Sequence, residues 1–195
     1  MKGYGMSASR GSRARALLLG LVLVLAAAPG LPALAEQQSV GEYKVKAAFL
    51  YNFTKFVEWP NHAFPDAAAP IVIAVLGEDP FGDAFDILKG KTVQGRPIVV
   101  RRIASLAEAA RVNILFVASS EKSRLGSVLP AAEGMHALTV GDTKGFAEQG
   151  GMIQLVRDGD KIGFEVNLDA SRRAELKISS KLLTLAKAVS GGTGK

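Results

Sequence analysis

The stretch Pro70–Gly90, PIVIAVLGEDPFGDAFDILKG, decides the fold class. Ile71 to Leu76 is an unbroken apolar run of strand length, the pattern of a strand buried on both faces. Gly77 closes it. Asp79 is a good helix N-cap and Pro80 suits the first helical position, so a short helix is expected to about Leu88, stopped by Gly90. The unit then repeats. Strands are expected at Pro97–Ile103, Asn113–Ala118 and Ala137–Val140, with helices at Ser105–Ala110 and Glu121–Leu129 between them. Strands alternating with short helices predict an α/β fold with a largely parallel central sheet, right-handed crossovers and flanking helices.

Downstream the pattern changes. In MIQLVRDGDKIGFEVNL, Met152–Leu168, two strand-like runs flank Asp158-Gly159, which predicts a C-terminal antiparallel hairpin. Ile162, Phe164, Val166 and Leu168 share one face, and Gly163, Glu165 and Asn167 share the other. A last helix is expected from Ser179-Ser180, with Leu182, Leu185, Ala186 and Val189 on one apolar face.

Upstream, YKVKAAFLYNFTKFVEWP, Tyr43–Pro60, holds six of the chain's 13 aromatic residues. On a helical wheel its apolar side chains fill an arc of roughly 200°, interrupted by Lys46, where an ordinary surface helix shows a stripe of about 100°. Trp59-Pro60 is expected to end this long aromatic helix. So wide an arc calls for two packing surfaces. Ala47, Leu50 and Val57 should lie on the sheet. Phe49, Phe53, Phe56 and Trp59 are either covered by the helix Leu182–Val189 or form a docking surface for a partner or a second copy.

The N-terminus reads as a secretory signal peptide over residues 1–35. Lys2, Arg10, Arg13 and Arg15 form a basic region, Ala16–Ala28 an apolar one, and Ala33-Leu34-Ala35 a small-residue cleavage site. The apolar run is shorter than the roughly 20 residues a spanning helix needs. Residues 36–195 then form a single domain, expected in the periplasm and without membrane insertion once the signal is removed. The formal net charge is +6, from 24 basic and 18 acidic residues; removing four signal-peptide cations leaves 20 against 18, or +2. No nucleic-acid partner is inferred from so balanced a chain. The chain has no cysteine, which excludes disulfides, thiolate metal sites and thiol catalysis. With two histidines, His62 and His136, neither at a metal-binding spacing, no metal site and no cofactor are expected.

Three candidate sites emerge. The carboxyl ends of the parallel strands carry Glu78-Asp79, Ser119-Ser120 and Asp142-Thr143, where open α/β sheets bind ligands, although caps and turns account for the same residues. Glu165 and Asn167 lie side by side on one strand, followed after a bend by Arg173, Lys177 and Ser179. A carboxylate, an amide and two cations suit a zwitterionic or anionic small molecule. The competing description is an exposed sheet face with an ion pair worth about 0–1 kcal/mol. The glycines of GFAEQGG, Gly145–Gly151, precede a strand instead of opening a helix, so they read as a turn, not a phosphate cradle. No acid, base and nucleophile can be assembled, so the chain does not read as an enzyme.

The segments VKAAFLYNFTKFVEWP, VLGEDPFG, GRPIVVRR, NILFVASSE, LTVGDTKGFAEQGGMI, FEVN and LKISSKLLTLA follow one another as in the YfiR-like periplasmic proteins, which the chain resembles from about Tyr43 to Val189. The resemblance implies a compact α/β domain without catalytic activity. It further implies repression of an inner-membrane diguanylate cyclase of the YfiN type through that enzyme's periplasmic sensor domain. An alternative is a small-ligand sensor with another membrane partner, whose effector alters docking or homodimer formation. Some relatives carry cysteines in the strands matching VIAVLG and near VNILFV; their absence here removes the disulfide control implied for those relatives. The signal-peptide reading makes a direct prediction. N-terminal sequencing of the exported chain should read Glu-Gln-Gln-Ser from Glu36, and retention of the apolar segment would overturn it.

Overall fold

The computed structural model describes residues 31–192, with side chains from residue 41 onward; the basic and apolar regions of the expected signal peptide lie outside the described residues. In chain order the elements are α1 (Leu31–Phe56), β1 (Val57–Glu58), β2 (Ile71–Leu76), β3 (Thr92–Val93), β4 (Arg96–Ile103), β5 (Ile114–Val117), α2 (Leu125–Glu133), β6 (Leu138–Gly141), β7 (Ile153–Asp158), β8 (Lys161–Asn167), α3 (Leu168–Arg173), β9 (Lys177–Ile178), α4 (Ser180–Leu183) and β10 (Ala188–Ser190). The main sheet runs β10-β8-β7-β6-β5-β2-β4-β3. Its centre is parallel: β2 pairs with β4 and β5, β5 with β6, and β6 with β7. The β7–β8 hairpin and the β3–β4 edge are antiparallel.

The apolar run Ile71–Leu76 is buried along its whole length, because both faces of the sheet are covered. Ile73, Val75, Ile114, Phe116, Leu138 and Val140 pack with Ala47, Leu50 and Phe53 of α1 and Val57 of β1. Val72, Ala74, Leu76, Leu115 and Val117 pack on the other side with Leu125, Val128, Leu129 and Ala132 of α2. The result is a three-layer α/β/α arrangement.

The helices depart most from expectation. The aromatic helix ends at Phe56, because Val57 and Glu58 leave it to pair as β1 with Ile178 and Lys177 of β9. After β2, Gly82 takes φ +51 and only a 3-10 segment, Gly82–Leu88, follows. Asp79 therefore caps no helix; its carboxylate accepts from the Phe81 amide at 2.8 Å and from Arg102 Nε at 2.6 Å. The helix expected at Ser105–Ala110 is a single 3-10 turn, Leu106–Glu108. The helix expected at Glu121–Leu129 starts as a 3-10 segment, Ser119–Arg124, before α2. The largest correction concerns the last helix. α4 stops at Leu183, and residues 188–190 pair as β10 along β8. Leu182 is buried, but Leu185 and Val189 are exposed, so the expected apolar face does not form. A one-turn helix gains little by lengthening, whereas the outer edge of β8 gains a paired strand.

The glycine-rich turn does not open a helix. Phe146, fully buried, lies between Gly141 and Gly151, whose Cβ atoms would stand 2.6 Å and 2.1 Å from its ring carbons. Gly151→Ala should therefore lower stability by about 1–3 kcal/mol through overpacking. Gly126→Ala in α2 adds a methyl to open space and should cause no loss. Denaturant melts of the two variants check the contrast, and equal midpoints would refute it.

Candidate functional site

α1 runs the length of the sheet. Past its middle, through Lys46, it meets Asp142, just past the carboxyl end of β6; just beyond its exit, Trp59 meets Asn113, just before β5. The exit is held by the Ser179 amide, which donates to the Phe56 carbonyl at 2.9 Å, and by the β1–β9 pairing. Pro60 keeps the chain from continuing as a helix. Trp59, half-buried, donates its indole N–H to the Asn113 carbonyl at 3.1 Å. Asn113 is itself buried and ties β2 in place, its Oδ1 accepting from the Val72 amide at 2.9 Å. Beside this pinned indole lies an open cleft of about 570 Å³, lined among others by Glu58, Asn61, Arg172, Glu175 and Lys177. Its rim carries charges of both signs over a partly apolar floor.

The expected ligand residues do not converge. Lys177 lines the cleft, because β9 sets it opposite Glu58. Asn167 caps α3: its Oδ1 accepts from the Ala170 amide at 3.1 Å and its Nδ2 donates to the Ala147 carbonyl at 2.9 Å. Ser179 caps α4 through the Leu182 amide at 3.3 Å. Arg173 pairs with Glu133 at 2.5 Å. Glu165 is half-buried between Gln154 and Ala188 on neighbouring strands, and among the described residues no ion pair joins it to Lys177 or Arg173. The bend after β8 is thus held by the polar groups read as ligand contacts.

The aromatic residues divide. Phe53 is wholly buried, and it meets Phe164 of β8 at 5.4 Å between ring centroids. Phe49 and Phe56 are half-buried against the same core, Phe49 at 5.6 Å from Phe164. Their cover is β8 together with the short α4, whose Leu182 and Leu183 join the same core; the helix expected to Val189 supplies only this first turn, and Phe53 is inaccessible to a partner. Trp59 alone of the four lines the cleft.

Of the strand ends, that of β6 is closed by α1, whereas Glu78, Ser119 and Ser120 are exposed. Lys46, with its side chain 6% exposed, places its ammonium 2.6 Å from Asp142 and 2.6 Å from Glu42. Tyr43 donates its hydroxyl to Asp142 at 3.0 Å. Burial, reinforced by the Asp142 charge, pushes the Tyr43 phenol up to about 12. Burial alone would lower the Lys46 pKa, but hydrogen bonds to Asp142 and Glu42 outweigh it and hold it above the usual lysine value. Ser120 accepts from the Glu78 amide at 3.0 Å. The two histidines meet instead at the opposite end of the sheet. Their ring centroids lie 4.6 Å apart, with His136 Nδ1 3.1 Å from the Ala174 carbonyl. No spacing in the sequence joins them, because the contact is made by two loops.

Fold and cleft define a small three-layer α/β domain with a mixed-charge recess at the amino ends of its strands. Among the described residues no helix is long and apolar enough to cross a membrane. The chain belongs to the YfiR/HmsC-like family, whose model matches residues 43–187. That family is one of periplasmic regulators of cyclic di-GMP signalling and is in general non-enzymatic. No curated protein matches the chain. Two similar solved structures are a conserved domain protein from Vibrio cholerae O1 biovar El Tor and the ABC domain in complex with L-Trp from Streptococcus pneumonia. The first has 12% identity and a TM-score of 0.44, over 61% of this chain and 54% of that one. The second has 12% identity and a TM-score of 0.44, over 62% of this chain and 56% of that one. The chain thus spans about half the length of each.

The Lys46 cluster gives a stability prediction. Lys46→Met leaves buried carboxylate charge without its cation and should cost about 3–5 kcal/mol. The pKa values of Lys46 and Tyr43 are both raised on folding, from 10.5 and 10.0. Their contribution is complete below about pH 10 and is lost as pH rises through the folded values. Equilibrium unfolding between pH 8 and pH 12 (on the order of this window) should show stability falling at the alkaline end for the wild type. The fall should be smaller in Tyr43→Phe.

Proposed function

We propose that this protein represses an inner-membrane diguanylate cyclase of the YfiN type by binding its periplasmic sensor domain, with the cleft beside Trp59 and Lys177 as the contact. The observation that carries this reading is the family match, which spans nearly all of the described domain. The cleft supplies the local argument. Interface anchors are enriched in Trp and Arg, and Trp59 stands half-buried on a fixed backbone with Arg172 and Lys177 exposed beside it. The inaccessible Phe53 is no part of the contact.

A second reading rests on the size of the same cleft. Its volume of about 570 Å³ falls within the range of small-molecule sites. Arg172 and Lys177 suit an anionic or zwitterionic effector. On that reading the effector competes with the partner or alters its docking.

The test joins capture to signalling. The exported chain is used to pull down a YfiN-type cyclase from solubilised inner membranes, and cellular cyclic di-GMP is measured in the same strain with and without the protein. Wild type should retain the cyclase and lower cyclic di-GMP. Lys177→Glu combined with Arg172→Glu changes only exposed cations, so it should keep the melting temperature while losing both effects. Failure of the wild type to retain the cyclase overturns the repressor reading. Release of a retained cyclase by a small periplasmic anion supports the second.

A further inference from the structure

We propose that His62, His136 and Glu175 form a zinc site that ties the exit of α1 to the ends of α2 and α3. One ligand atom from each residue can be chosen so that all three lie within 4.8 Å of one another. Zinc with bonds of about 2.0–2.1 Å sets tetrahedral ligand atoms roughly 3.3 Å apart, so side-chain rotation closes the difference. Two imidazoles and a carboxylate are a zinc donor set, and three protein ligands leave a fourth position for water or an incoming group.

Three local features prepare these residues as ligands. His62 lies in the 3-10 turn Asn61–Ala63, directly after Pro60, on a segment anchored by the Trp59–Asn113 hydrogen bond. His136 is oriented by its own second contact. With Nδ1 donating to the Ala174 carbonyl at 3.1 Å, the ring presents Nε2 as the free acceptor. A backbone carbonyl is a common outer partner for a metal-bound histidine, and it selects the tautomer that binds. Glu175 is the third feature. It ends α3 in a Schellman motif, with the Leu176 amide bonded to the Ser171 carbonyl at 2.9 Å and the Glu175 amide to Arg172 at 3.0 Å. The left-handed position of that motif ordinarily carries glycine, yet here it carries Glu175 at φ +60. His136 is also left-handed, at φ +51. Two of the three ligands thus hold a conformation that their side chains disfavour.

Glu175 also lines the cleft, so an ion held there adds positive charge at one end of the recess. The site does not depend on any partner, and its test requires none.

The exported chain, purified without an affinity tag and stripped with a chelator, is titrated with zinc chloride by calorimetry and melted with and without the ion. One equivalent should bind with a dissociation constant of about 1 µM or tighter, and the melting temperature should rise with zinc. Calcium and magnesium should give no comparable heat, since imidazole is a poor ligand for both. His62→Ala and His136→Ala should each weaken zinc binding on the order of a hundredfold. The decisive variant is Glu175→Gly. Glycine suits φ +60, so the metal-free variant should melt at the same temperature as wild type or higher, while its zinc affinity falls. A wild type that takes up no zinc overturns the proposal. So does zinc binding that both histidine variants retain.

Discussion

The parallel sheet is apolar on both faces, and on one of them a single long helix must cover most of the width. Strands stand about 4.8 Å apart, so the span from β8 across β7, β6 and β5 to β2 is on the order of 19 Å. A helix with its side chains is about 10 Å across. Aliphatic residues alone would leave the flanks of the sheet open. This mismatch accounts for the aromatic density of α1. Phe49 and Phe53 reach sideways to Phe164 on β8. On the other flank Tyr43 meets Phe81 edge-on at 5.2 Å, and Phe81 stacks on Phe85 at 4.2 Å and meets Phe116 at 4.8 Å. The wide arc is therefore covered by the sheet, the 3-10 segment and the short α4 together.

A helix that covers a sheet by bulk needs something else to set its position along it. Apolar contacts are non-directional and would tolerate a shift along the axis. Lys46 does not tolerate one. Its ammonium is buried, and the carboxylates that satisfy it are Glu42 on its own helix and Asp142 at the end of β6. A slip of one turn, about 5.4 Å, would part Lys46 from Asp142 and leave that carboxylate buried without its cation, while Lys46 kept only Glu42. At the other end the Trp59 indole finds the Asn113 carbonyl. The polar contacts of Lys46 and Trp59 act as register marks, and the aromatic surface supplies the burial.

The strands were legible because burial on both faces writes itself as an unbroken apolar run. Ile71–Leu76 matches β2, and the hairpin around Asp158-Gly159 matches β7 and β8. The connections were less legible. Asp79-Pro80 is a sound helix start, but Gly82 in a left-handed conformation delays the turn and only 3-10 structure follows. Leu182, Leu185, Ala186 and Val189 have helical spacing, yet an open sheet edge competes for the same residues and takes the last of them. The site was least legible. Glu165, Asn167, Arg173, Lys177 and Ser179 are close in sequence, but the bend between them uses Asn167 and Ser179 as caps and sends Arg173 to Glu133. The cleft pairs Lys177 with Trp59, two residues that the β1–β9 pairing and the Ser179–Phe56 hydrogen bond bring together.

Backbone strain marks where side-chain identity matters more than local preference. Among the described residues four non-glycine positions have positive φ: Gln94, Arg111, His136 and Glu175. Gln94 needs no functional account, because it and Gly95 form the two-residue turn between β3 and β4, where both positions favour positive φ. His136 and Glu175 are different. Each follows the C-terminal end of a helix, where glycine would fit at lower conformational cost. Packing does not require either side chain: Glu175 is exposed, and His136 is only half-buried. What distinguishes them is that they lie beside each other and beside His62. In a chain without cysteine, a shared ion is a cross-link these three loops can still form, and it joins the segments that frame the cleft.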